Sequence, residues 1–80
     1  MKSMTCKQLG GACDKIFQTD TFEEIAQLSK QHGGEMFRAK DSAHLAAMEE
    51  MQKLMQNPEA MQQWFMDKKA EFEALPNDEA

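Results

Sequence analysis

The chain contains no valine and no tyrosine, and its β-branched residues are Thr5, Ile16, Thr19, Thr21 and Ile25 alone. β-Branched and aromatic side chains favour strands, so any sheet is expected in the first quarter of the molecule. Glycine and proline are scarce, at four and two residues. That excludes collagen-like and linker-like chains. No apolar run approaches the roughly 18 residues that a bilayer-spanning helix needs, so no membrane association is expected. The amino-terminal stretch MKSMTCKQLGGACDK lacks the apolar middle segment of a secretion signal, which leads to the expectation of a cytoplasmic protein. Basic groups number only nine against 14 acidic ones, giving a formal net charge of -5. Such a balance repels phosphate and argues against nucleic acid as a partner.

What is present is a single domain of 80 residues, near the lower end of what folds alone. From Phe22 onward it is rich in Ala, Leu, Met, Glu, Gln and Lys, all good helix formers. The expected architecture is therefore α+β and mostly helical: an N-terminal two-stranded antiparallel ribbon followed by three α-helices. Residues 1–37 form a ribbon-plus-helix unit and residues 41–75 a helical extension. The strands are expected over about Lys2 to Cys6 and Cys13 to Gln18. The intervening Gly10-Gly11 pair allows the positive φ of a tight reversal. A two-stranded ribbon is marginal alone and needs a helix behind it.

Local signals place the helices. Thr21 with Glu24 fits the capping box, and Glu23 and Glu24 suit the positive end of the helix dipole. Phe22, Ile25, Leu28, His32 and Met36 recur at helical spacing on one stripe. Gly33-Gly34 either ends this helix or is crossed on the way to Arg38. Asp41 or Ser42 caps a second helix to about Gln56, with His44, Met48, Met51 and Met55 on one face. Asn57-Pro58 starts a third, Asn as N-cap and Pro in the first turn. Pro76 ends it, and Asn77 to Ala80 are expected to fray.

A chain this short often relies on a metal, a disulfide or self-association. Cys6 and Cys13 flank the glycine turn, and opposed residues of a ribbon lie close enough for a disulfide or for shared coordination of one ion. A reducing compartment disfavours the disulfide. Two thiolates suit Zn²⁺, and His32 on the inner face of the next helix is a third candidate ligand. Asp14, His44 or water are open choices for a fourth. Structural zinc pairs usually read C-x₂₋₄-C, whereas this pair reads C-x₆-C, and free cysteines also pack simply as small apolar residues.

Cys6-x₃-Gly10-x₂-Cys13, followed by Thr21-Phe22-Glu23-Glu24 opening a helix that carries His32, resembles a bacterial family of small uncharacterised proteins described as "predicted small metal-binding protein". The resemblance covers residues 1–37. It implies a ribbon-plus-helix unit with Cys6, Cys13 and His32 as the matching metal positions. Members often carry a further histidine near the end of this helix, where Met36 and Phe37 stand here.

Eight methionines is a high count. Thioethers can hold Cu(I), but on helical faces they more often line adaptable cores or binding grooves. Met51, Met55, Met61, Trp64 and Phe65 are the candidate partner surface, for a homo-oligomer or another protein. No C-x-x-C redox pair, phosphate loop or nucleophile elbow is present. The expectation is a small non-enzymatic protein binding Zn²⁺ or a similar ion through Cys6, Cys13 and His32. The alternative is a helical interaction module without metal.

Overall fold

Strand β1 (Lys2–Thr5) pairs antiparallel with β2 (Ile16–Thr19), and three helices follow: α1 (Phe22–Arg38), α2 (Ser42–Met55) and α3 (Pro58–Ala74). These elements come from a computed structural model that describes residues 1–77. The expected fraying of the carboxyl end concerns in part residues 78–80, which lie outside that span. The α+β, mostly helical architecture expected from composition is the observed one. No helix among the described residues is long and apolar enough to cross a membrane.

The ribbon register pairs Lys2 with Thr19 and Thr5 with Ile16. Met4 and Phe17 are cross-strand partners on the inner face, and both are buried. The strands are shorter at the turn end than expected, and neither cysteine lies on a paired position. Cys6 and Cys13 sit instead in a connecting loop over residues 6–15. That loop keeps the two arms together through Cys6 N–H donating to the Lys15 carbonyl at 2.8 Å and Lys7 N–H donating to that of Cys13 at 2.9 Å. The reason is a reciprocal turn. Thr5 N–H donates to Gln8 Oε1 and Gln8 N–H to Thr5 Oγ1, and the Cys6 carbonyl then accepts from both Leu9 and Gly11. Gly10, with φ of 93°, makes the reversal that a residue with a Cβ adopts at a cost. The turn drives Leu9 into the core.

Each helix starts on the cap that the sequence marks. Thr21 Oγ1 accepts from Glu24 N–H at 3.2 Å, Asp41 Oδ2 from His44 N–H at 3.0 Å, and Asn57 Oδ1 from Glu59 and Ala60 N–H. α1 runs straight through Gly33-Gly34 to Arg38, since two glycines weaken a helix by about 1 kcal/mol each but leave its hydrogen bonds intact. The chain then turns at Lys40, a non-glycine residue at φ 57°.

The core is small: Met4, Cys6, Leu9, Phe17, Phe22, Ile25 and Phe72. It lies between the ribbon's inner face, the first half of α1 and the last turns of α3. Phe22 meets Phe65 and Phe72 edge-on, at centroid distances of 5.1 and 6.0 Å. Phe72 also lies under the Lys2 ammonium, 5.5 Å from the ring centroid. Burying each large apolar side chain contributes roughly 1.5–3 kcal/mol. None of the seven core residues belongs to α2.

Candidate metal centre

Four ligand atoms converge at the end of the ribbon loop, one each from Cys6, Cys13, His32 and His44, and all lie within 4.8 Å of one another. Each is carried there by a different local device. Cys6 leaves β1 at the start of the loop, and Cys13 closes it. Gly11 lies directly beside the Cys6 sulfur, so any side chain at residue 11 would collide with it. His32 lies two turns after Ile25 on the buried stripe of α1 and packs edge-on against Phe17 of β2, at 5.7 Å between centroids. His44 is the third residue of α2, and it is the buried residue of that helix.

The geometry is that of two thiol–imidazole pairs. Cys13 Sγ lies 3.2 Å from His32 Nε2, and Cys6 Sγ lies 3.5 Å from His44 Nε2. The two rings are 5.1 Å apart and nearly perpendicular, at 79°. A tetrahedral Zn²⁺ with ordinary Zn–S and Zn–N bonds separates its ligand atoms by about 3.3–3.8 Å. The two measured pairs are close to that spacing, and the others need a contraction of at most about 1 Å to reach it. Cys6, His32 and His44 are buried and Cys13 half-buried, so water is largely excluded and the ring nitrogens face sulfur.

Surrounding groups prepare the ligands. Asp41 caps α2 with the same carboxylate oxygen, Oδ2, that lies 2.5 Å from His44 Nδ1. With the Nδ1–H donating to this carboxylate, Nε2 is left unprotonated and facing the sulfurs, the tautomer a metal ligand requires. The hydrogen bonds to His44 hold the Asp41 carboxyl below its ordinary value. In return the Asp41 hydrogen bond holds the His44 imidazole above its own, against the opposing effect of burial. The two thiols differ. Burial pushes Cys6 up, partly countered by backbone N–H groups of Cys13 and Ala12. The backbone N–H of Lys15 is the main group that holds Cys13 down, helped by Cys6 and His44. Such N–H···S contacts stabilise thiolates.

All three residues nominated from sequence, Cys6, Cys13 and His32, are in the cluster. Of the three options for a fourth ligand, the structure brings in His44, while Asp14 is solvent-exposed and outside the cluster. The signal that favours His44 is the Asp41–x₂–His44 spacing, which sets a carboxylate and an imidazole on one helical turn. The residues of the expected partner surface line two adjoining hollows that share Met51. Met51, Met61, Trp64 and Phe65 line a cavity of about 220 Å³ with Leu9 and Phe22. Met55 lies with Met51, Phe37 and Leu45 along the second, a groove.

No family model matches this chain, and neither does any curated protein or any solved structure.

Proposed function

We propose that the protein is a small, non-enzymatic metal-binding protein that holds one Zn²⁺ or similarly soft divalent ion through Cys6, Cys13, His32 and His44. The observation that carries this reading is the convergence of two thiols and two imidazoles within 4.8 Å, from three separate regions of the chain. Paired thiolates and imidazoles form the preferred ligand set of zinc. Four protein ligands complete a tetrahedral shell and leave no position for a substrate, which favours a structural over a catalytic ion. The Asp41–His44 contact supplies the outer-shell carboxylate such sites commonly use. The small core gives the ion a purpose, since metal binding contributes directly to folding in domains of this size. The same reading is implied by the resemblance of residues 1–37 to the small metal-binding family.

Metal content of untagged protein tests it, with Co²⁺ as a spectroscopic substitute. The expected result is one ion per chain, with thiolate-to-cobalt charge transfer and the strong visible bands of a tetrahedral site. Both are lost in the Cys6→Ser, Cys13→Ser double variant. Protein that stays metal-free under reducing conditions with excess Zn²⁺ refutes the reading.

A second reading, self-association through the α3 face, is favoured by the 44 % exposure of Phe65 and 56 % exposure of Met66. Sedimentation of the parent and of Trp64→Ala tests it. A monomer in both counts against it.

A further inference from the structure

We propose that the metal ion is the latch that holds α2 against the rest of the domain, so that gain or loss of the ion docks or releases this helix. The inference rests on the metal-binding reading above. α2 spans Ser42–Met55, yet among the described residues its one buried side chain is the ligand His44. The apolar core is complete without it.

What lies beneath α2 is not packed tightly. Met48 and Met51 meet the ribbon loop and α1 across a cavity of about 170 Å³, whose walls include Cys6, Leu9, Gly33 and His44. A well-packed interior has few voids larger than a water molecule. Flexible methionine side chains bridge this cavity, with Met51 Cε reaching Gly10 of the loop and Met48 Cε reaching Gly33 of α1. On the outward side Met55 is 57 % exposed. The connections at either end are short. The first passes through Lys40 at φ 57°, where Lys40 N–H donating to the Phe37 carbonyl and Asp41 N–H donating to that of Met36 close the end of α1.

The ligand set is divided in the same way. Cys6, Cys13 and His32 belong to the ribbon and α1, while His44 alone comes from α2. An ion bound to all four adds coordinate bonds to the contacts that join the two parts. Without the ion, α2 keeps the 3.5 Å contact of His44 Nε2 with Cys6 Sγ, the edge-on contact of the His44 and His32 rings, and the methionine packing of Met48 and Met51. Release would uncover the Leu9 face of the loop and the inner side of α2, turning metal occupancy into a change of accessible apolar surface. Binding that is confined to the docked form shifts that equilibrium by mass action.

Amide hydrogen exchange on the full chain, with Zn²⁺ and with a chelator under reducing conditions, tests the proposal. Metal stoichiometry is measured on the same samples. The amides of residues 46–55 are expected to gain at least about tenfold protection with Zn²⁺. Those of β1, β2 and the first half of α1 should change much less, and they report that the domain is still folded. The emission of Trp64, which faces Met51 across the neighbouring cavity, should shift in parallel. His44→Asn retains three ligands and should still take up the ion, though more weakly. In that variant Zn²⁺ should leave α2 as exposed as it is in the chelated parent.

Three results overturn the proposal. One is equal α2 protection with and without a stoichiometrically bound ion, which leaves the metal reading standing. A second is loss of protection in α1 and the ribbon as large as in α2, which would make the ion a support of the whole domain. A third is zero stoichiometry, in which case the metal reading fails and the latch falls with it.

Discussion

The most direct perturbation is a change in free Zn²⁺ concentration, because it alters no side chain. The domain has 80 residues and a core of seven buried apolar side chains, so its unfolding entropy is small and its melting temperature responds steeply to added free energy. An ion that binds only the folded chain contributes about 2.7 kcal/mol at 100 times its Kd, and about 1.4 kcal/mol more for each further tenfold. A domain of this size shifts by roughly 4–8 °C per kcal/mol. The first increment therefore raises Tm by about 10–20 °C, and each further tenfold by about 6–11 °C. Differential scanning fluorimetry or calorimetry across a buffered Zn²⁺ series, with a non-thiol reductant, measures this. The Cys6→Ser, Cys13→Ser double variant should show no more than a small, non-specific response. A parent Tm independent of Zn²⁺, or a double variant that follows the parent, would refute the reasoning.

Further outcomes follow from the same geometry. Asp41→Asn keeps a good N-cap but removes the charge that faces His44 Nδ1. Competition titration with a chromophoric chelator should show metal affinity about 10- to 100-fold lower, with helicity by circular dichroism unchanged. Gly11→Ala places a methyl group on the Cys6 sulfur and close to the Cys6 carbonyl. It should abolish stoichiometric metal uptake, whereas Gly34→Ala, whose new methyl has only an ordinary contact with Arg38, should stabilise the fold by about 0.5–1 kcal/mol in denaturant titration. In metal-free protein the Asp41–His44 contact sets a pH window. Asp41 is depressed, so its contribution is present above its ordinary 3.8 and is lost as pH falls through the lower folded value. His44 is raised, so its contribution is present below its ordinary 6.5 and is lost as pH rises through the higher folded value. Chelated protein should therefore gain from the pair most fully between pH 3.8 and 6.5, an advantage that Asp41→Asn removes in pH-dependent melting.

Local physics made much of the molecule readable from its sequence. Caps act over two or three residues, so Thr21, Asp41 and Asn57-Pro58 announced the three helix starts where the structure has them. The absence of valine and the clustering of β-branched residues confined the ribbon to the amino-terminal quarter, and helical periodicity turned His32 inward with Ile25. Cys6, Cys13 and His32 were legible as candidate ligands because two thiols flank the turn and helical periodicity sets an imidazole behind them, although their spacing is equally that of cysteines packed as small apolar residues.

What depended on contacts far apart in the chain was decided only in three dimensions. Whether α1 stops at Gly33-Gly34 or crosses them depends on what packs around it, and crossing sets where the Lys40 corner lies. That corner swings α2 back so that His44 reaches Cys6 across 38 positions of sequence, which no periodicity encodes. The Thr5–Gln8 turn shortened the strands and moved both cysteines out of the ladder into a loop, because side-chain hydrogen bonds there compete with strand pairing. Met51 and Met55 are one turn apart along α2, and both line the groove with Phe37 and Leu45, but Met51 also reaches the cavity of Trp64, a placement fixed by how α3 folds back. The sequence by itself determined which residues form helices and which side chains can bind a metal; the tertiary structure decided which of them share one point in space, because convergence depends on the angles of the corners between elements.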